Sequence, residues 1–164
     1  MTIGKEIATW RSVKIGSEPR TVSELCGALT EKSRVINRIA NLFLDKMSFA
    51  DKEAEIGLVK ASVRDLGFGS LDEAGYAEIL SRAGRMNLGH CQVEAIAKLC
   101  LQDVERTDES YLIAMEPDKS DKHNGHVCVL RIFWKDGELW LGSASFPPEA
   151  SLPVDTTLIF QNMQ

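Results

Sequence analysis

The sequence predicts an α+β fold in which N-terminal helices pack on a C-terminal antiparallel β-sheet. Helical spacing of apolar residues dominates the helix-rich part, up to about residue 102. Alternating runs rich in β-branched and aromatic residues dominate the sheet-rich part, at about 110–161, and a two-residue turn joins the two longest of them. A chain of 164 residues is most simply one domain, so we expect residues 1–164 to fold as a unit.

The first third of the chain predicts one short strand and two helices. Residues 9–15 alternate as a strand does. Thr21 stands three residues before Glu24, which is capping-box spacing and predicts a helix from about Val22 to Thr30. Ser33 is the expected N-cap of a second helix, and the two helices should form a helical hairpin. The apolar positions of the second helix share one stripe: Val35, Ile36, Ile39, Ala40 and Phe43.

The middle of the chain predicts a strand and two further helices. Residues 56–63 fit either a strand or a buried helix, and their β-branched side chains favour the strand. Ser70 follows a glycine-containing turn and is the expected N-cap of a helix that ends near 87–89. The buried face of that helix is predicted from three-and-four spacing: Tyr76, Ile79, Leu80 and Ala83. A shorter helix is predicted over 92–101.

The last third predicts sheet. Residues 111–115 form an expected strand, 118–125 a polar loop and 157–160 a terminal strand. Together with the hairpin at 126–144 these segments predict a meander of about four antiparallel strands.

The hairpin is the most specific local signal. Asp136-Gly137 stands between two apolar runs, and this pair is typical of a two-residue turn in which both residues have positive φ. Alternation from that turn puts an apolar set on the face expected to join the core: Cys128, Leu130, Ile132, Trp134, Leu139 and Leu141. The opposite face carries Arg131, Phe133 and Trp140. A guanidinium can lie against an aromatic ring on such a face, so we interpret these three residues as a candidate binding surface.

The composition and net charge of the chain limit the classes of protein to which it can belong. The 19 Lys and Arg against 24 Asp and Glu give a net charge of −5, which argues against a general nucleic-acid binder. The four cysteines contain no C-x-x-C pair, which favours a reducing, cytoplasmic compartment. No stretch has the length and apolarity of a membrane span, so a soluble protein is expected. No phosphate-binding or cofactor motif is present, and no cofactor is predicted.

A second interpretation of the sequence is that the polar region from Glu116 to His126 is a catalytic site. Glu116 ends a predicted strand, and four further polar residues follow it: Asp118, Asp121, His123 and His126. Two histidines three apart can share a metal, but no third ligand is fixed by spacing, so no metal site is predicted. His90-Cys91 also predicts no catalytic pair, because adjacent residues on a helix do not face each other.

These observations leave two hypotheses. The first is a small protein-interaction or ligand-binding module that uses Arg131, Phe133 and Trp140, with a protein as a possible partner. The alternative is a small hydrolase-type or metal-assisted enzyme that uses the region from Glu116 to His126.

Eight blocks of the sequence belong together: Trp10-Arg-Ser-Val-Lys-Ile-Gly16, Thr21-Val-Ser-Glu-Leu25, Ser62-Val-Arg-Asp-Leu-Gly-Phe68, Ile79-Leu-Ser-Arg-Ala83, Asn87-Leu-Gly-His-Cys91 with Glu94, Tyr111-Leu-Ile-Ala-Met-Glu-Pro117, Leu139-Trp-Leu141 and Leu158-Ile-Phe160. They resemble a bacterial domain that recurs among hypothetical proteins. The resemblance covers about residues 9–161, which implies one domain, and it implies no activity. Two departures are visible: Ser110-Tyr111 stands where the relatives tend to have Glu-Trp, and His90 precedes Cys91.

Overall fold

A computed structural model describes residues 7–69, 74–118 and 125–164. Within those ranges the chain forms eight β-strands and four α-helices. The strands are β1 (Arg11–Ile15), β2 (Val35–Ile36), β3 (Ala54–Ser62), β4 (Leu88–Gly89), β5 (Tyr111–Ile113), β6 (Val127–Lys135), β7 (Glu138–Phe146) and β8 (Thr157–Asn162). The helices are α1 (Val22–Glu31), α2 (Arg38–Lys46), α3 (Tyr76–Arg85) and α4 (Val93–Leu99), and a 3₁₀ turn covers Arg64–Leu66.

The eight strands form one mixed sheet. Its order is β1-β3-β8-β5-β6-β7-β2, and β4 pairs separately with β8. The last strand in the sequence, β8, therefore lies inside the sheet, antiparallel to β3 and parallel to β5. A second parallel pair joins β2 to β7.

The predicted fold class, N-terminal helices packed on a C-terminal antiparallel meander, is wrong. Four of the eight strands, β1 to β4, come before residue 102 and belong to the same sheet as the later strands. The two parallel pairs exclude a purely antiparallel sheet. Periodicity reports whether a segment is a strand, but not which distant strand it pairs with, and this is why the sequence predicted the segments better than their arrangement.

The prediction for the second helix is also wrong at its start. Ser33 has φ 62° and does not cap a helix, because Val35 and Ile36 form the short strand β2. The N-cap of α2 is Asn37, whose side chain accepts a hydrogen bond from the backbone N–H of Ala40. The strand β2 separates α1 from α2, so the two helices are not joined by a short turn as a helical hairpin requires.

Most other local predictions are confirmed. Thr21 caps α1 and accepts a hydrogen bond from Glu24 N at 3.1 Å. The strands β1, β3 and β8 and the helices α3 and α4 lie where the sequence predicted them, apart from a few residues at their ends. The described part of α3 begins at Tyr76 with Gly75 as N-cap, and the predicted cap Ser70 lies outside the described residues.

The β6–β7 hairpin has the predicted register throughout. Asp136 and Gly137 have φ values of 52° and 78°, the positive values that the two-residue turn requires. Phe133 pairs with Trp140, and Arg131 pairs with Gly142. The apolar face of the hairpin joins the main cluster of buried residues through Leu130, Ile132, Leu139 and Leu141. No helix in the described ranges is both long and apolar enough to cross a membrane.

Candidate functional site

Four side chains on one face of the β6–β7 hairpin form a cation–aromatic stack. The guanidinium carbon of Arg131 lies 4.3 Å from the centroid of the Phe133 ring. Phe133 stacks on Trp140 with 5.9 Å between ring centroids and 17° between planes. Lys135 Nζ lies 5.4 Å from the centroid of the Trp140 ring. The order of contacts is therefore Arg131, Phe133, Trp140, Lys135, with a cation at each end.

The register of the hairpin explains the stack. Arg131, Phe133 and Lys135 are two residues apart on β6, so their side chains leave the same face of the sheet. Trp140 is directly opposite Phe133 on β7 and shares that face. Gly142 provides the space beside them, since a Cβ atom there would stand 2.7 Å from Cε1 of Phe133. The ring of Phe133 thus lies over a position that only glycine leaves open.

The charge of Arg131 has no counterion within the described part of the chain. Its side chain is partly buried and forms neither an ion pair nor a hydrogen bond there. Arg131 Nε is buried and has no hydrogen-bond partner among residues 7–69, 74–118 and 125–164, and the same holds for Nε1 of Trp140 in the same stack. Burial of one edge removes part of the hydration of the guanidinium, and a less hydrated cation attracts an anion more strongly.

Arg131 also lines an open cleft of about 300 Å³, which we call the Arg131 cleft. Its walls come from β5, β6, β7 and β8 and from the segments before β5 and β8. The lining residues are Glu109, Ser110, Leu112, Arg131, Ala144, Phe146, Leu152, Asp155, Thr156 and Thr157. Phe133 and Trp140 do not line it. Of the three residues that the sequence singled out, only Arg131 belongs both to the cation–aromatic stack and to the cleft.

The carboxylates of the cleft do not neutralise Arg131. Asp155 forms an ion pair with Arg64 at 2.7 Å, and both side chains are largely exposed. Glu109 is exposed and forms no ion pair with a described residue. The cleft therefore combines one available cation with acidic groups that are either paired elsewhere or in contact with solvent.

Sequence reasoning missed most of this cleft. Its walls bring residues near 110 together with residues near 144 and 155, which are far apart in the sequence. The juxtaposition depends on the parallel pairing of β8 with β5, because Leu112 of β5 lies between Leu158 of β8 and Arg131 of β6. No local pattern carried this information.

The region of the alternative hypothesis is only partly described. Glu116 and His126 are exposed, and Asp118 lies 3.8 Å from Lys46 in an ion pair. Asp121 and His123 lie outside the described residues. Glu116 and Asp118 line a groove of about 400 Å³ between α2 and α4, whose other lining residues are Leu42, Phe43, Lys46, Met47, Cys91, Gln92, Val93 and Met115. The described ranges contain no group of three side chains able to hold a metal ion.

Cys91 is placed as a packing residue. Its thiol is buried and lies 3.4 Å from the carbonyl oxygen of Ile159. Burial raises the pKa of the Cys91 thiol, so the nucleophilic thiolate is disfavoured. His90 is exposed beside it.

Glu94 belongs to a buried ion pair with Lys98. The two side chains are 0% and 6% exposed, and Lys98 Nζ lies 2.5 Å from Glu94 Oε2. The backbone N–H groups of Gly16 and Ala50 each donate to the same carboxylate at 2.8 Å. Lys98 also donates to the carbonyl oxygen of Ser17 at 2.6 Å. This pair fastens α4 to the segments that follow β1 and α2.

Burial by itself raises the pKa of Glu94, whereas the hydrogen bonds to its carboxylate and the charge of Lys98 lower it. The result is a pKa below the ordinary glutamate value, because the donors around the carboxylate outweigh the loss of water. Glu94 is therefore ionised in the folded protein near neutral pH.

No protein-family model, curated protein or solved structure matches this chain. The resemblance to a bacterial domain stays a prediction.

Proposed function

We propose that the protein is a small, soluble, non-enzymatic binding module of the cytoplasm, and that Arg131 contacts an oxyanion of its ligand. The oxyanion belongs either to a small molecule or to the surface of a partner protein. Phe133 and Trp140 support Arg131 from one side of the guanidinium. We expect no nucleic-acid partner, since the net charge of −5 opposes binding to a polyphosphate.

The observation that carries this proposal is a partly buried guanidinium that lines a cleft without a counterion in the described residues. A buried charge in a folded protein is normally paired. Among the described residues, the charge of Arg131 contacts only the face of the Phe133 ring, at 4.3 Å. Its N–H groups lie in the guanidinium plane and are the donors that match a carboxylate or phosphate group.

Two further facts fit the proposal. All four cysteines, Cys26, Cys91, Cys100 and Cys128, are free thiols, as expected for a reducing compartment. Burial raises the pKa of Cys100 to about 12, and it raises that of Cys91 as well. Neither thiol is therefore suited to nucleophilic catalysis, which favours binding over covalent chemistry at these positions.

The test is thermal unfolding of the wild type and of Arg131→Gln against a panel of carboxylates, phosphates and sulfonates at constant ionic strength. A ligand that binds the native state raises the melting temperature. We expect at least one anion to stabilise the wild type and not Arg131→Gln. The control is Lys135→Gln, which removes the same charge from the same stack but outside the cleft, and should respond as the wild type does.

A second arm distinguishes the two sources of the oxyanion. Native mass spectrometry of the tagged protein recovered from its own host would show a retained small molecule or a stoichiometric protein, and either should be lost with Arg131→Gln. The proposal is wrong if no anion or retained species depends on Arg131.

The groove that contains Glu116 and Asp118 favours the second candidate function, a hydrolase-type or metal-assisted enzyme. A rise in melting temperature with Mn²⁺ or Zn²⁺ that disappears in Asp118→Asn would support that function. Stabilisation that is equal in both proteins would exclude a metal site at Asp118.

A further inference from the structure

Resting on the proposed function, we propose that the ligand of the Arg131 cleft is a small monocarboxylate with a short apolar body. Its carboxylate oxygens accept hydrogen bonds from the guanidinium of Arg131, and its body lies against the apolar part of the cleft. Three features of the cleft carry this choice: its charge, its lining and its size.

The charge of the cleft favours a monoanion. Arg131 supplies one cation, whereas Glu109 and Asp155 supply two carboxylates, of which Asp155 is paired with Arg64. One guanidinium matches one carboxylate through two parallel hydrogen bonds. A phosphate dianion would bring a second negative charge toward Glu109 without a second cation in the lining. Repulsion from that carboxylate opposes binding of the dianion.

The lining favours an apolar body next to the carboxylate. Leu112, Ala144, Phe146 and Leu152 supply apolar surface, and Leu112 pairs directly with Arg131 across β5 and β6. Burial of apolar ligand surface on these side chains favours binding. The hydroxyls of Ser110, Thr156 and Thr157 are the neutral polar groups of the lining. An anion with no apolar body would leave most of this surface unused.

The size of the cleft favours a short body. A volume of about 300 Å³ stands at the lower end of the range for small-molecule sites. Phe133 covers one face of the guanidinium at 4.3 Å, so ligand oxygens approach Arg131 along its edge, from the cleft. The carboxylate of a short-chain acid can reach that edge while its chain occupies the same cleft.

The experiment is isothermal titration of the full chain with three probes: butyrate, butyramide and inorganic phosphate. Butyramide has the shape of butyrate without its charge, and phosphate has the charge without an apolar body. We expect butyrate to bind one site, and the other two probes to bind at least tenfold more weakly, about the loss expected for a charge-assisted pair. Equal or tighter binding of phosphate would overturn the monocarboxylate class.

Three variants locate the site. Arg131→Gln should weaken butyrate binding at least tenfold. Ala144→Leu should weaken it similarly, because the added side chain occupies the cleft while the charge of Arg131 remains. Lys135→Gln should change it less than about twofold, since exposed charges outside the site contribute little. Butyrate binding that is unchanged in both Arg131→Gln and Ala144→Leu would overturn the assignment to this cleft.

The two proposals fail in different ways. Phosphate binding that depends on Arg131 and is as tight as butyrate binding, or tighter, would contradict the monocarboxylate and leave Arg131 as the contact to an oxyanion. Failure of every anion and retained species to depend on Arg131 would contradict the proposed function as well. If Arg131→Gln does not fold, Ala144→Leu still tests whether butyrate binds in the Arg131 cleft.

Discussion

Two charged groups that are at least partly shielded from solvent, Glu94 and Arg131, have opposite surroundings in this protein. The carboxylate of Glu94 is fully buried and has three donors, which are Lys98 and the backbone N–H groups of Gly16 and Ala50. The guanidinium of Arg131 is partly buried, lies on an aromatic ring and has no counterion within the described ranges. The first arrangement fastens three chain segments together, whereas the second leaves donors for a group outside the protein.

The surroundings of the two groups distinguish a charge that stabilises the fold, Glu94, from a charge that is a candidate for ligand binding, Arg131. A buried ion that is fully hydrogen-bonded makes its removal costly, because its partners stay behind. An unpaired cation at a cleft adds little to folding and gains a partner only when a ligand binds. Substitutions should therefore change the free energy of unfolding at Glu94 and ligand binding at Arg131.

The largest effect is expected for Glu94→Gln. The amide carries no charge to balance Lys98 and no longer accepts through two oxygens. We expect the free energy of unfolding to fall by about 3 kcal/mol, as for other broken buried pairs. Urea unfolding at pH 7 measures it, with the exposed Glu149→Gln as a control that should change it by less than about 0.5 kcal/mol. Equal stability of both variants would contradict a structural role for the pair.

A smaller effect is expected for Gly142→Ala. The added Cβ would stand 2.7 Å from Phe133 Cε1, so the ring must move away from its place in the cation–aromatic stack. Overpacking of this kind costs about 1–3 kcal/mol. Urea unfolding measures the loss, and near-ultraviolet circular dichroism reports the altered packing of Trp140. The matched substitution Gly27→Ala has open space around the new Cβ and should not destabilise the protein.

The buried pair also predicts a pH dependence. The pKa of Glu94 is lower in the folded state than the ordinary value of an unfolded chain. As the pH falls below that ordinary value, the unfolded state takes up the proton before the folded state does. The contribution of Glu94 to stability is therefore complete above the ordinary value, and it is lost progressively as the pH falls from there through the lower pKa of the folded state.

The difference in free energy of unfolding between the wild type and Glu94→Gln should therefore be larger at pH 7 than at pH 4. Urea unfolding at both pH values checks this difference. A difference that does not change with pH would show that Glu94 contributes through packing rather than through its charge.

The smallest effect on stability is expected for Arg131→Gln. The substitution removes the contact with Phe133, which is worth about 0.5–1 kcal/mol at an exposed site. It also removes the buried Nε, which has no hydrogen-bond partner in the described part of the chain. The two changes oppose each other, so we expect the free energy of unfolding to change by less than about 1 kcal/mol. A loss as large as that of Glu94→Gln would assign Arg131 to the structural class instead.

The sequence predicted the hairpin well because its determinants are local. Asp136-Gly137 selects the turn, and period-two alternation then assigns every side chain of β6 and β7 to a face. The position of β8 could not be predicted in the same way. Its pairing with β5 and β3 joins segments far apart in the sequence, and a short apolar strand is compatible with many neighbours.

The same limit applied to the candidate site. Arg131, Phe133 and Trp140 could be placed on one face, because they belong to one hairpin. The cleft could not be predicted, because only the order of the strands in the sheet brings Leu112 and Asp155 to the same cleft as Arg131. Glu94 and Lys98 stand four residues apart on α4, which is the spacing of a helical ion pair, but no local pattern indicated that the pair is buried and that Glu94 also accepts from Gly16 and Ala50.

The most direct test of the central claim is a nuclear magnetic resonance titration of the Arg131 side chain. The Nε–H signal of Arg131 in uniformly ¹⁵N-labelled protein is assigned by its disappearance in Arg131→Gln, and the protein is then titrated with butyrate. We predict a saturable shift of this signal and no shift for Arg34, whose guanidinium is already bonded to the carbonyl oxygens of Cys100 and Gln102. An Arg131 signal that stays unchanged at saturating butyrate would contradict the claim that this guanidinium receives the ligand.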